Sequence, residues 1–152
     1  MKRSISKNMH DEDPAREELK RIDHLIFVTL KYTRTADIIR TIIGKFILTL
    51  DHQTEKYYTD QFEKRKIKEI PPVPLMRMKK LEQIHLKDNK IKDMIDFYVQ
   101  LKAIFNADFK AKEEYRKNVT LVTKGKEINI AMLKDYVETT KEYVNYIDDL
   151  IK

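Results

Sequence analysis

IIRTIIGKFILTLDHQTEKYYTDQFEKRKIK, residues 38–68, is the stretch that decides the fold. Ile38, Ile39, Ile42, Ile43, Phe46, Ile47 and Leu50 recur at intervals of three and four, which spreads an apolar arc over a wide face of a helix. A helix of that kind is buried inside a bundle. Thr33 or Thr35 supplies its N-cap, and an unbroken run to Lys68 would span about 50 Å. Beyond Asp51 the stripe thins to Tyr57, Tyr58 and Phe62, so the second half leaves the core or continues as an arm. Gly44 lies inside the run and costs about 1 kcal/mol relative to alanine, which implies the close approach of another helix.

Working outward, IPPVP at 70–74 stops the helix, because consecutive prolines cannot sustain one. A short basic helix is expected from Leu75 to Leu86. Asp88 is placed to cap the next, whose stripe is Ile91, Met94, Ile95, Tyr98, Leu101, Ile104 and Phe105. FKAKEEYRKNVTLV, from Phe109, reads as a further helical stretch. Around Gly125 a turn and a short hairpin are both open, since VTLVTKGKEINI suits two strands about a Lys-Gly turn. The last helix covers about Met132 to Ile151. On the upstream side Asp13 caps a helix with Pro14 in its first turn, followed by Leu19, Ile22, Leu25, Ile26 and Leu30 at helical spacing. LIFVTLKY at 25–32 is β-branched and aromatic enough for a strand, yet the cap and the lack of a turn residue favour helix. The expectation is an all-α, single-domain bundle of five or six mostly antiparallel helices over residues 13–152, with an optional hairpin near 119–130. A mobile tail at 1–12 and a protruding helix–PPVP–helix segment at about 51–87 complete it.

Two glycines, four prolines and no cysteine among 152 residues argue against a Gly-rich phosphate loop, a nucleophile elbow and a thiol or Cys-zinc site. No signal-peptide h-region follows the first basic residues, and no apolar stretch reaches membrane-spanning length, so a cytoplasmic protein without membrane contact is expected. The bias toward lysine, glutamate and isoleucine is shared by thermophilic proteins and by low-GC genomes. The net charge of +6 permits an RNA or an acidic protein partner and requires neither.

Several groupings could carry chemistry. Glu82 and His85 have the Glu-x-x-His spacing of carboxylate metal sites, but such sites need the motif twice, and no metal or other cofactor is expected. Asp23-His24 and Asp51-His52 are adjacent pairs whose side chains diverge by about 100° on a helix, so neither is preorganised as a dyad. Arg34, Arg40, Glu114 and Arg116 border apolar sequence, as an interhelical ion pair or as a functional arginine would. A helical bundle with a late arginine is similar in outline to the HEPN ribonucleases, whose motif is Arg-x(4–6)-His. Here Arg116 is followed by no histidine through Thr123, and the only pair with that spacing is Arg3 with His10. The likeness stops at the fold.

Two functional readings remain. The first is a non-enzymatic helical association module, self-associating through Tyr57, Tyr58 and Phe62 as a homodimer or other homo-oligomer. The second is an RNA-binding or RNA-processing protein. It would use the basic segment 64–92, through Lys64, Arg65, Lys66, Lys68, Arg77, Lys79 and Lys80, with Tyr115 and Arg116 as further phosphate contacts.

Overall fold

A computed structural model describes residues 13–152, and the tail expected at 1–12 lies outside the described residues. Its axis is α2, Ala36–Glu63, on which all four other helices pack. α1 begins as Pro14–His24, widens into a π turn at Leu25–Thr29 and ends in Leu30–Tyr32. α3 is Pro74–Ile84, α4 is Asn89–Asn106 and α5 is Ile130–Ile151. Between α4 and α5 the chain forms an antiparallel meander of β1 (Lys110–Lys112), β2 (Thr120–Thr123) and β3 (Lys126–Asn129). The protein is therefore a mostly helical bundle carrying one small sheet, and β2–β3 is the hairpin that the sequence left open.

Local chemistry sets the boundaries. Asp13, Thr35, Asp88 and Asn129 each accept a backbone N–H in the first turn of the helix that follows, which satisfies donors that a helix start leaves orphaned. The arc from Ile39 to Leu50 is buried as its spacing requires. Gly44 does mark a close approach: a Cβ there would lie 2.7 Å from Cε1 of Phe105 on α4. In the π turn the N–H of Leu30 donates to the carbonyl of Leu25, five residues back. The extra residue keeps Ile26 and Leu30 in the core and leaves Phe27 and Val28 at the surface.

Two expectations are corrected here. Residues 109–118 are not helical. Lys110–Lys112 pairs with Thr120–Thr123, and the connection turns through left-handed backbone at Glu113 (φ 56°) and Tyr115 (φ 69°). The stretch has too few apolar residues for a helical face, while Leu121 opposite Ala111 and Ile128 gives the strand pairing a buried centre. The helix–PPVP–helix segment also does not stand away from the body. α2 ends at Glu63, and α3 folds back onto α2 and α4, burying Met78 and Leu81.

Polar ties lock α1, α2 and α5 together. Arg16 pairs with Asp13 and Asp148 at 2.7 Å each, and Lys56 reaches Asp148 at 2.8 Å. Buried Gln53 donates to the Val144 carbonyl and to Asp148.

Candidate functional site

At one end of the bundle the last turns of α1, the loop after β1 and the start of α5 converge. A backbone contact and a capping contact assemble this end. The N–H of Tyr115 donates to the carbonyl of Arg34 at 2.6 Å, and Glu114 Oε2 accepts the N–H of Ala36 at 2.8 Å. Glu114 thus places a carboxylate at the positive start of α2, where it relieves an orphan donor. Left-handed backbone at a non-glycine residue costs on the order of 1 kcal/mol, and these contacts hold Glu113 and Tyr115 there. The result sets Lys117 near Arg34.

A cleft of about 310 Å³ opens between these elements. Its floor is Ile26, Leu30 and Ile130, its wall is Phe27, and its rim is Lys31, Arg34, Lys117 and Lys134. No carboxylate among the described residues lines it. Among the described residues none of the four cations forms a salt bridge. The Lys134 ammonium stands 5.2 Å from the centre of the Phe27 ring, an attraction that holds a cation over an exposed aromatic face. Tyr32 and Tyr115, at 82% and 75% exposure, flank Arg34 in sequence and by backbone contact. Four cations without a salt-bridge partner among the described residues thus surround an apolar, ring-walled hollow.

The side chains singled out in the sequence fall differently. Tyr115 and Arg116 are exposed on the loop at this end. Lys64 pairs with Asp60 and donates to the Ile151 carbonyl at the opposite end of α2. Arg77 is tied to the carbonyls of Pro71 and Pro72, while Arg65, Lys66, Lys68, Lys79 and Lys80 are exposed. Within the segment 64–92, Lys64, Arg77 and Lys90 thus have partners in the chain. Tyr57 and Tyr58 are buried within the chain, at 4% and 0% exposure, so they offer no surface to a partner. Tyr58 donates to the Arg77 carbonyl and Tyr57 stacks edge-on against His85; Phe62 alone of the three stays exposed.

Arg34, Arg40 and Glu114 do not form the ion pair that their sequence allowed. Glu114 caps α2. Arg40 donates to the Phe105 carbonyl at 3.0 Å, closing the C-terminal end of α4, and its guanidinium lies 4.0 Å from the Phe105 ring centre. The side chain of Arg34 is left to the cleft. Glu82 and His85 do not share a helical face either, because α3 ends at Ile84 and His85 has already left helical geometry. His85 contacts the Tyr57 hydroxyl at 3.0 Å, and no three His, Asp or Glu side chains come together as a ligand set among the described residues. Asp51 accepts from the Tyr98 hydroxyl at 2.6 Å; burial raises its pKa and outweighs that hydrogen bond. Among the described residues no helix is long and apolar enough to cross a membrane.

Sequence reasoning missed Phe27, Lys31, Lys117 and Lys134. One signal was present: Phe27 and Val28 fall off the apolar stripe of α1, so a helix through them had to expose two large hydrophobic side chains.

No protein-family model, no curated protein and no solved structure matches the chain. Its function has to follow from the chemistry of its own residues.

Proposed function

We propose that the protein is a binding module for single-stranded nucleic acid, and that the strand lies across the cleft between α1, the 113–117 loop and α5. The observation that carries this reading is the rim of four cations around an aromatic-walled hollow, to which no carboxylate of the described residues contributes. Lys31, Arg34, Lys117 and Lys134 neutralise successive phosphates and release their counterions. Phe27 in the cleft and the exposed Tyr32 and Tyr115 supply faces on which bases stack, each worth about 1–3 kcal/mol. Arg116 adds a phosphate contact at the edge. A hollow of about 310 Å³ has room for a splayed nucleotide and not for a duplex. Among the described residues its lining offers no acid, histidine or hydroxyl.

Titration of labelled single- and double-stranded RNA and DNA at several salt concentrations tests the proposal. At about 0.7 per contact, the four rim cations give a log–log salt slope of about −2.8 for a single strand, which the edge contact of Arg116 brings to about −3.5. The variant combining Lys31→Gln, Arg34→Gln, Lys117→Gln and Lys134→Gln should lose most of that slope. The control combining Lys66→Gln, Lys68→Gln, Lys79→Gln and Lys80→Gln should keep it. Salt-independent binding, or full affinity in the cleft variant, would overturn the reading. Comparison of RNA with DNA of one sequence then shows whether the 2′-hydroxyl contributes.

A further inference from the structure

The opposite end of the molecule carries a second unpartnered surface with different chemistry. Pro71 and Pro72 form one wall of a groove of about 400 Å³, and the face of α3 bearing Met76, Lys79 and Lys80 forms the other. The proline wall is fixed from two sides. Arg77 donates from Nε to the Pro71 carbonyl at 2.6 Å and from Nη2 to the Pro72 carbonyl at 3.2 Å, while the Tyr58 hydroxyl holds the Arg77 carbonyl at 2.7 Å. With two prolines restricting the backbone as well, the groove exists before anything enters it, which removes an ordering cost from binding.

The groove is apolar at its centre and cationic at its lip. Met76 is 55% exposed, with Val73 and Leu75 exposed beside it. Lys79 and Lys80 have no salt-bridge partner among the described residues, and Glu69 is the one carboxylate in the lining. Among the described residues no aromatic ring lines the groove, so it offers no face for base stacking. A symmetric second copy would set Lys79 and Lys80 against themselves, and such like-charge contacts are costly. A membrane surface would lie over a concave groove without filling it.

We propose that this groove docks an acidic, apolar peptide segment of a partner protein. An aliphatic or aromatic side chain of the segment enters between the prolines and Met76, and its carboxylates meet Lys79 and Lys80. This site does not rest on the nucleic-acid reading of the other end.

Selection of a random peptide library displayed on phage, against the full chain, tests it. The expected result is enrichment of peptides that combine Asp or Glu with Leu, Ile, Phe or Met. Synthetic copies should bind Met76→Asp, and the double variant Lys79→Glu with Lys80→Glu, at least tenfold more weakly than the wild type. All three residues are exposed, so circular dichroism should show the variants folded. Failure to enrich any peptide, enrichment of neutral or basic peptides, or equal binding to the variants would each overturn the proposal. So would vesicle binding or self-association abolished by the Lys79→Glu and Lys80→Glu pair, which would assign the face to anionic lipid or to a second copy.

Discussion

Replacing Gly44 by alanine should destabilise this protein, although alanine is the better helix former. In the interior of α2, alanine would gain about 1 kcal/mol over glycine from propensity alone. The new methyl, however, would sit 2.7 Å from Cε1 of Phe105 and within 3.4 Å of two more ring atoms. The ring cannot simply swing aside. Arg40 covers its face at 4.0 Å while donating to the carbonyl of the same residue. Overpacking of this kind costs about 1–3 kcal/mol, so the net loss should be about 1 kcal/mol, or about 2–4 °C in Tm for a chain of this size. Removing the ring should reverse the sign. In a Phe105→Ala background, Gly44→Ala should stabilise by about 1 kcal/mol, which makes the coupling between the sites about 2 kcal/mol. Urea denaturation of the four proteins of this cycle, followed by far-UV circular dichroism, measures both numbers. If Gly44→Ala stabilised both backgrounds equally, the close contact would not be what keeps glycine at this position.

Glu114→Ala should cost about 1 kcal/mol by thermal denaturation, because it strips the N–H of Ala36 of its acceptor. Glu114→Gln should recover part of that loss, and equal losses would show that the capping contact is not the cause. The pH dependence of stability should contain two opposing parts. Burial alone would raise the pKa of Asp148, but hydrogen bonds from Lys56, Arg16 and Gln53 hold it below its ordinary value. Its contribution is therefore complete above the unfolded pKa of about 3.9 and is lost as pH falls through the folded value. Asp51 is raised by burial, so the folded state binds its proton more readily and stability falls as pH rises through the raised value. Asp148→Asn should flatten the acid limb of a denaturation series, and Asp51→Asn should remove the decline above it; unchanged profiles would refute the assignments. The cleft and the proline groove lie toward opposite ends of α2, whose 28 residues measure about 42 Å, several screening lengths at physiological salt. A saturating selected peptide should thus leave the affinity for a single strand unchanged within about twofold, and competition would place both ligands on one surface.

The helices were legible because their signals are local. Asp13-Pro14 and Asp88 are caps readable within four residues, and the arc from Ile39 to Leu50 needs no knowledge of what packs on it. Where the reading went astray, the deciding partner was remote. FKAKEEYRKN has helix formers enough, but β1 exists because Ala111 finds Leu121 across a turn and because Arg34, more than seventy residues upstream, accepts the N–H of Tyr115. Tyr57 and Tyr58 looked like an interface because α2 was read as leaving the core. The proline break instead returns α3 over them, and their hydroxyls are met by His85 and by the Arg77 carbonyl.

The cleft was hidden for a related reason. Local charge density pointed to residues 64–92, where ion pairing and carbonyl capping occupy Lys64, Lys90 and Arg77. The four cations of the cleft are separated in sequence by as much as a hundred residues, and none stands in a basic run that composition would flag except Lys117. What joins them is the π turn that exposes Phe27 and the left-handed loop that brings Lys117 to Arg34. Both are departures from regular geometry, and neither has a residue pattern that announces it. The cations of the cleft come singly from separate elements, and the neighbouring acid Glu114 is withdrawn to cap a helix, so no described carboxylate offsets them there.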